Sequence, residues 1–177
     1  GQGLADEFEK AATAGGATIL AREFTDTTKT DFTAILTSIK GKSPDLIFYG
    51  GMDAQAGPMM KQIQNLGITA KYLAGDGVQT AEFLKLAADA AEGTYASSPG
   101  VPLNNMPQGP AFAEKYKATD KDKDYPSYHG AAAYSALFVF KAAAEKAKDL
   151  TTEGLREGMK LVDIETTLRV QQLWSTG

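Results

Sequence analysis

Asp76 stands between two glycines in "LAGDGV", residues 73–78, directly after an apolar stretch. A second glycine pair, Gly50-Gly51, precedes Met52 and Asp53 in "FYGGMD", residues 48–53. An ionised aspartate offers hydrogen-bond acceptors only, which suits it to an ammonium group. Glycines such as Gly51 and Gly75 permit close approach of a ligand to the backbone. Glycine and aspartate are also ordinary turn formers. The pattern alone therefore leaves two readings open, a tight turn or a ligand contact. In open α/β sheets ligands sit beyond the carboxyl ends of the strands, and both motifs fall where a strand ends.

Other chemistry is poorly supplied. A catalytic site brings together groups of different roles, such as a nucleophile and a base. The single histidine, His129, follows Tyr128 at a helix start and reads as a partly buried residue there. The chain has no cysteine, which removes disulfides, thiol catalysis and cysteine-type zinc sites, and no second histidine serves a metal. "GGMDAQAG" lacks the Gly-Lys-Ser/Thr of a phosphate loop. "TDKDKD", residues 119–124, lacks the glycine and distal glutamate of a calcium loop and reads as a solvated turn. No G-x-S-x-G elbow is present. No catalytic residue, metal or cofactor is expected. The net charge of −4 comes with dispersed Lys and Arg, which argues against a nucleic-acid footprint. No apolar run approaches the roughly 18 residues of a membrane span.

The elements that must position these residues follow from hydrophobic period and breakers. "GQGLADEFEKAAT" reads as a helix with Leu4 and Phe8 on one face, stopped by Gly15-Gly16. "ATILAREF", 17–24, reads as a strand. Phe32, Ile35, Leu36 and Ile39 form the apolar stripe of a helix over 30–40. "DLIFYGG", 45–51, is the continuous apolar strand that a parallel sheet buries on both faces. Helix 54–67, strand "AKYLAG", a helix through "TAEFLKLAADAAEG" and strand "TYASSP", 94–99, complete an alternating series. Alternation at this spacing predicts an α/β fold, a mostly parallel sheet flanked by helices. After Pro99 the proline-rich "GVPLNNMPQGP" reads as a linker and "AFAEKYKATDKDKD" as a short helix. A helix over 127–146, apolar nearly all round at Leu137–Phe140, is expected to be deeply packed. "TTEGLREGMKLVD" reads as a helix capped by Thr151 or Thr152, and "LRVQQLW" as a strand. The expected divisions are an α/β domain over 1–99, a linker with helices over 100–162, and a terminal strand segment over 163–177.

Taken together, "SPDLIFYGGMDAQAGPMMKQIQNLGITAKYLAGDGV" and "LAADAAEGTYASSP" resemble the periplasmic solute-binding proteins of ATP-driven branched-chain amino acid transporters, the leucine/isoleucine/valine type with the class I binding-protein fold. The likeness runs from Gly1 to about Val162. It implies one flavodoxin-like or Rossmann-like lobe of two, with an amino acid held in the cleft between lobes. In the family an acid at the position of Asp76 takes the ligand's α-ammonium. The position of Met52 often carries a tyrosine; methionine there would give a soft apolar wall. An aromatic that packs on the ligand falls near Tyr125 or Tyr128. The ligand-binding set implied is Asp76, Met52, Gly51, Gly75 and Tyr128, while Asp53 is placed to cap the following helix.

The resemblance implies further partners and a larger whole: an amino acid ligand, the membrane permease of the transporter, and a periplasmic or lipoprotein-like extracellular location with the export signal removed. It also implies a first strand before Gly1 and a Ser/Thr-rich carboxylate-binding segment upstream, so the chain reads as a fragment. Three functions are weighed: an amino-acid-binding module without chemistry, a non-binding fragment that self-associates as a homodimer, and a small α/β enzyme using Asp76 or Asp53.

Overall fold

A computed structural model describes residues 1–119 and 128–164. The chain divides into two compact units, Gly1–Pro99 and Gly100–Gly177.

The first unit is an α/β layer structure. Helix α1 (Gln2–Ala14) comes first, then α2 (Thr33–Lys40), strand β1 (Leu46–Tyr49), α3 (Asp53–Asn65), β2 (Lys71–Ala74), α4 (Ala81–Ala87) and β3 (Thr94–Ala96). The three strands are parallel in the order β1-β2-β3. Ile47 lies opposite Tyr72, Tyr49 opposite Ala74, and Ala74 opposite Ala96.

Side chains alternate across the sheet. Ile47, Tyr72 and Ala74 point to one face and join the buried core with Phe32 and Leu36 before and in α2, Met59, Met60 and Ile63 of α3, and Phe83 and Ala87 of α4. The α2 stripe is thus the one its 3.6-residue period predicts. Helix α3 approaches α4 closely at Gly57, where a Cβ would lie 2.4 Å from Cβ of Leu86. On the opposite face Phe48 stacks on Phe8 of α1, with ring centroids 4.0 Å apart. Helices therefore flank both faces of the sheet. A side-chain amide joins layers that are distant in sequence: Gln62 of α3 accepts from the Phe32 backbone N–H at 2.7 Å and donates to the Thr30 carbonyl at 2.8 Å.

Two expectations for this unit are corrected. Residues 17–24 form no strand; Ile19, Leu20 and Phe24 are exposed and no ladder partner exists among the described residues. A strand needs a neighbour, and here the segment is tied instead to α1, where Arg22 pairs with Asp6 and with Glu9. The helix expected through residue 93 breaks at Ala88, whose φ of 51° lies in the left-handed region, and continues as a 3-10 turn over Ala88–Ala91.

The second unit holds α5 (Gly109–Thr119), α6 (Tyr128–Lys146) and α7 (Thr152–Lys160). The linker is partly ordered: Leu103 and Met106 are buried against Phe112, Ala113 and Ala131. Farther along α6, Val139, Ala142 and Ala143 pack with Val162. Thr151 caps α7, its Oγ1 accepting from the Gly154 N–H at 3.1 Å. Helix α6 is not deeply packed as expected. Leu137 is 70% exposed, and Phe138 and Phe140 are also open to solvent. Only one stripe of the helix meets α5 or α7, so an all-round apolar sequence leaves its other face bare. The strand expected at "LRVQQLW" and the turn 120–124 lie outside the described residues.

The core makes a direct prediction at Tyr72, buried at 2% exposure with its hydroxyl donating to the Met59 sulfur at 3.6 Å. Sulfur is a weak acceptor, so Tyr72→Phe should cost under about 1 kcal/mol, whereas Tyr72→Ala should cost about 3–5 kcal/mol. Burial also pushes the phenol well above its ordinary value of 10.0. Above about pH 10 the unfolded chain loses this proton first. Stability should therefore be full below that pH and fall as pH rises, with a shallower fall in Tyr72→Phe. Denaturant titrations from pH 8 to 11 measure both effects. A Tyr72→Phe variant as alkali-sensitive as wild type would contradict this account.

Candidate functional site

Parallel strands send all their carboxyl ends to one edge, so the loops after β1, β2 and β3 gather there. After β1 the chain passes through Gly50, Gly51 and Met52 into α3, which starts at Asp53. After β2 it turns at Gly75 into a 3-10 turn over Asp76–Val78, then through Gln79 and Thr80 into α4. The Ser97 N–H donates to the Ala74 carbonyl at 3.0 Å, extending the ladder at the end of β3.

The two loops interlock. Tyr49 turns its phenol back over Gly51, where a Cβ would lie 2.2 Å from the hydroxyl oxygen. Partial burial pushes that phenol above its ordinary range, while the Met52 N–H donating to it acts the other way. Met52 is 57% exposed, and its Sδ rests on Gly77: a Cβ there would meet the sulfur at 2.5 Å and the Gly51 carbonyl oxygen at 3.2 Å. The α1 side meets the same edge, since a Cβ on Gly75 would lie 2.4 Å from Cδ2 of Leu4. Asp76 is half-buried at the start of its turn. Val78, 2% exposed, plugs the loop into the core below.

Asp53 has a defined part. Its Oδ1 accepts from the Ala54 N–H at 2.8 Å and its Oδ2 from the Thr80 hydroxyl at 2.7 Å. Thr80 in turn caps α4, its Oγ1 accepting from the Phe83 N–H at 3.0 Å. Asp53 does not cap α3 as expected: the cap position is Met52 and Asp53 is the first helical residue, so its carboxylate is free to reach the neighbouring loop, while Thr80, not singled out from the sequence, is a true cap. Its signal was a threonine immediately before the apolar run of a helix.

Gly51, Met52, Gly75 and Asp76 thus share one edge of the first unit. Tyr128 opens α6 in the second unit, its side chain outside the described residues, as is Tyr125. His129 is exposed in the first turn of α6 rather than partly buried, because that turn projects its side chain away from the packed stripe. Among the described residues no group of three His, Cys, Asp or Glu side chains is placed to hold a metal ion, and no helix is long and apolar enough to cross a membrane. An open hollow of about 430 Å³ lies at the opposite, amino edge of the strands, beside Lys71, Asp89 and Glu92.

A family model described as a periplasmic binding protein matches residues 1–174. The chain is 27% identical over 166 residues to a leucine-, isoleucine-, valine-, threonine- and alanine-binding protein from Pseudomonas aeruginosa, covering 94% of this chain and 44% of that one. It is 31% identical over 147 residues to a Leu/Ile/Val-binding protein from Rhizobium johnstonii, covering 83% and 39%. Among solved structures it resembles a branched-chain amino acid transporter substrate-binding protein from Streptococcus pneumoniae in complex with isoleucine, with a TM-score of 0.83, 26% identity, and 98% and 49% coverage. A leucine-binding protein from Thermotoga maritima gives a TM-score of 0.81 at 27% identity, covering 89% and 45%. The chain spans less than half the length of these relatives.

The Met52–Gly77 contact is testable. In Gly77→Ala the new methyl meets the tip of a flexible side chain, so Met52 should swing aside. The expected cost is under about 1 kcal/mol, with a clear shift of the Met52 methyl NMR signal. An unmoved Met52 signal would show that the two loops do not interlock there.

Proposed function

Because the chain belongs to the periplasmic binding protein family, we propose that it forms the amino-acid-binding edge of one lobe of a solute receptor and performs no chemistry on its ligand. One observation carries this reading: a half-buried carboxylate, Asp76, shares the carboxyl edge of a parallel sheet with an exposed thioether, Met52. An amino acid with an apolar side chain needs such a pair. Its ammonium takes a carboxylate, and its side chain takes a soft apolar wall. The glycines at 51, 75 and 77 let Tyr49, Leu4 and Met52 pack down on the backbone beside both groups. The ligands of the relatives, leucine, isoleucine and valine among them, support a branched-chain or similar amino acid as ligand.

On this reading the backbone at Gly51 and Gly75 borders the ligand. The partner that takes the ligand onward is the membrane permease of an ATP-driven transporter, and the receptor works in the periplasm or outside the cell.

Chemical-shift perturbation with millimolar isoleucine tests the proposal on the chain as it stands. One lobe offers half the contacts and no closure, so binding should be weak, with shifts at Gly51, Met52, Gly75, Asp76 and Gly77. Shifts confined to the hollow at the amino edge would sink the assignment. In a receptor carrying both lobes, Asp76→Ala should weaken isoleucine binding by about 2–5 kcal/mol, because it leaves a buried ammonium unpaired. An unchanged affinity would hand that role to another group.

A second reading, self-association as a homodimer, is favoured by the bare face of α6 at Leu137, Phe138 and Phe140. Monomeric proteins seldom leave contiguous apolar patches of this kind open. Sedimentation should then show a dimer that Leu137→Glu converts to monomer. A monomer in both variants would dismiss this reading.

A further inference from the structure

Hydrogen bonding in the sheet stops at Ala74 on β2, yet the loop beyond it carries the residue on which the proposed ligand contact depends. The loop is built from three successive short-range bonds: the Val78 N–H to the Gly75 carbonyl at 3.1 Å, the Gln79 N–H to the Asp76 carbonyl at 3.0 Å, and the Thr80 N–H to the Val78 carbonyl at 2.9 Å. Such a chain of turns is rigid only if both its ends are fixed. One end is fixed by the ladder at Ala74, and Val78 anchors the middle. The other end is Thr80, whose hydroxyl is held between a donor it accepts from, the Phe83 N–H, and an acceptor it donates to, the Asp53 carboxylate.

We infer that Asp53 is a positioning residue: by gripping Thr80 it ties the start of α3 to the start of α4 and so fixes the loop 75–79, Asp76 included, against β1. The contact spans 27 residues in sequence, so it is not a local turn bond. A carboxylate is well suited to the part. It accepts at both oxygens at once, giving one to its own helix and one to the neighbouring loop, and hydrogen bonds to an ionised acceptor are the stronger kind. Negative charge is also favourable in the first turn of α3. The Met52 sulfur on Gly77 is the second strut between the same two loops. The grip therefore sets the spacing between Met52 and Asp76. The bearing of that spacing on ligand binding rests on the function proposed above.

The alternative is that Thr80 merely caps α4 and Asp53 merely begins α3. Amide hydrogen exchange on the ligand-free chain separates the two. Asp53→Ala leaves the Thr80 cap intact and removes the grip together with the bond to the Ala54 N–H. It should speed exchange of Val78 and Gln79 about tenfold and leave the Tyr72 and Leu73 amides of the ladder unchanged. Thr80→Val should do the same and also expose Phe83. The double variant should be no faster at Val78 and Gln79 than the faster single, and Thr80→Ser should stay within about twofold of wild type. If Asp53→Ala leaves Val78 and Gln79 unchanged while Thr80→Val affects Phe83 alone, the grip does not position the loop and the inference falls. Titrating Asp53→Ala with isoleucine keeps the two proposals apart. Weaker binding that shifts the same edge amides supports both. Faster exchange together with isoleucine shifts at another surface leaves the positioning role standing and overturns the ligand assignment.

Discussion

The parallel ladder between β1 and β2 is the constraint from which the rest follows. With Tyr49 paired to Ala74, the two strands end side by side and point the same way. Their loops then cannot avoid each other, and the helices that follow must both begin at that edge. Met52 reaches Gly77, and Asp53 reaches Thr80, because the register leaves those residues level. An antiparallel pairing, or a slip of one residue, would send the loops to opposite edges or turn the side chains to the other face. The buried side of the same register carries the core: Ile47 against Tyr72 and Tyr49 against Ala74 present one continuous apolar face to α2, α3 and α4.

On that edge the electrostatics are simple. The chain places a carboxylate, Asp76, in a half-buried turn with a glycine on either side. Asp53 is committed to two internal donors. Asp53 thus ties the two loops together, and Asp76 opens the turn that follows β2. Both follow a glycine-bearing strand end in sequence.

Much of this was legible in the chain. "DLIFY" is apolar without a break, which marks a strand covered on both faces, and Phe8 on one side with α3 on the other supply that cover. The stripe Phe32, Leu36, Ile39 gave the buried face of α2 because period and burial are the same information there. What sequence could not supply was pairing. Residues 17–24 have the apolar content of a strand, but a ladder depends on a neighbour elsewhere in the fold, and without one Arg22 settles on Asp6 and Glu9 of α1. Helix α6 misled for the opposite reason. Its apolar residues circle the helix, so no period marks which side is covered, and Leu137 faces solvent while Ala143 is fully buried. Thr80 was overlooked because its importance lies in a contact with Asp53 that spans 27 residues in sequence.

The central claim is that the Asp76 carboxylate recognises an ammonium group, and a two-by-two comparison addresses it most directly. Leucine and 4-methylpentanoate, which differ only in the amine, are titrated into wild type and Asp76→Asn, with the edge amides as the readout. The account predicts that wild type prefers leucine, and that Asp76→Asn loses most of that preference while its response to 4-methylpentanoate is unchanged or stronger, since a like charge has been removed. An equal preference for leucine in both proteins would contradict the account.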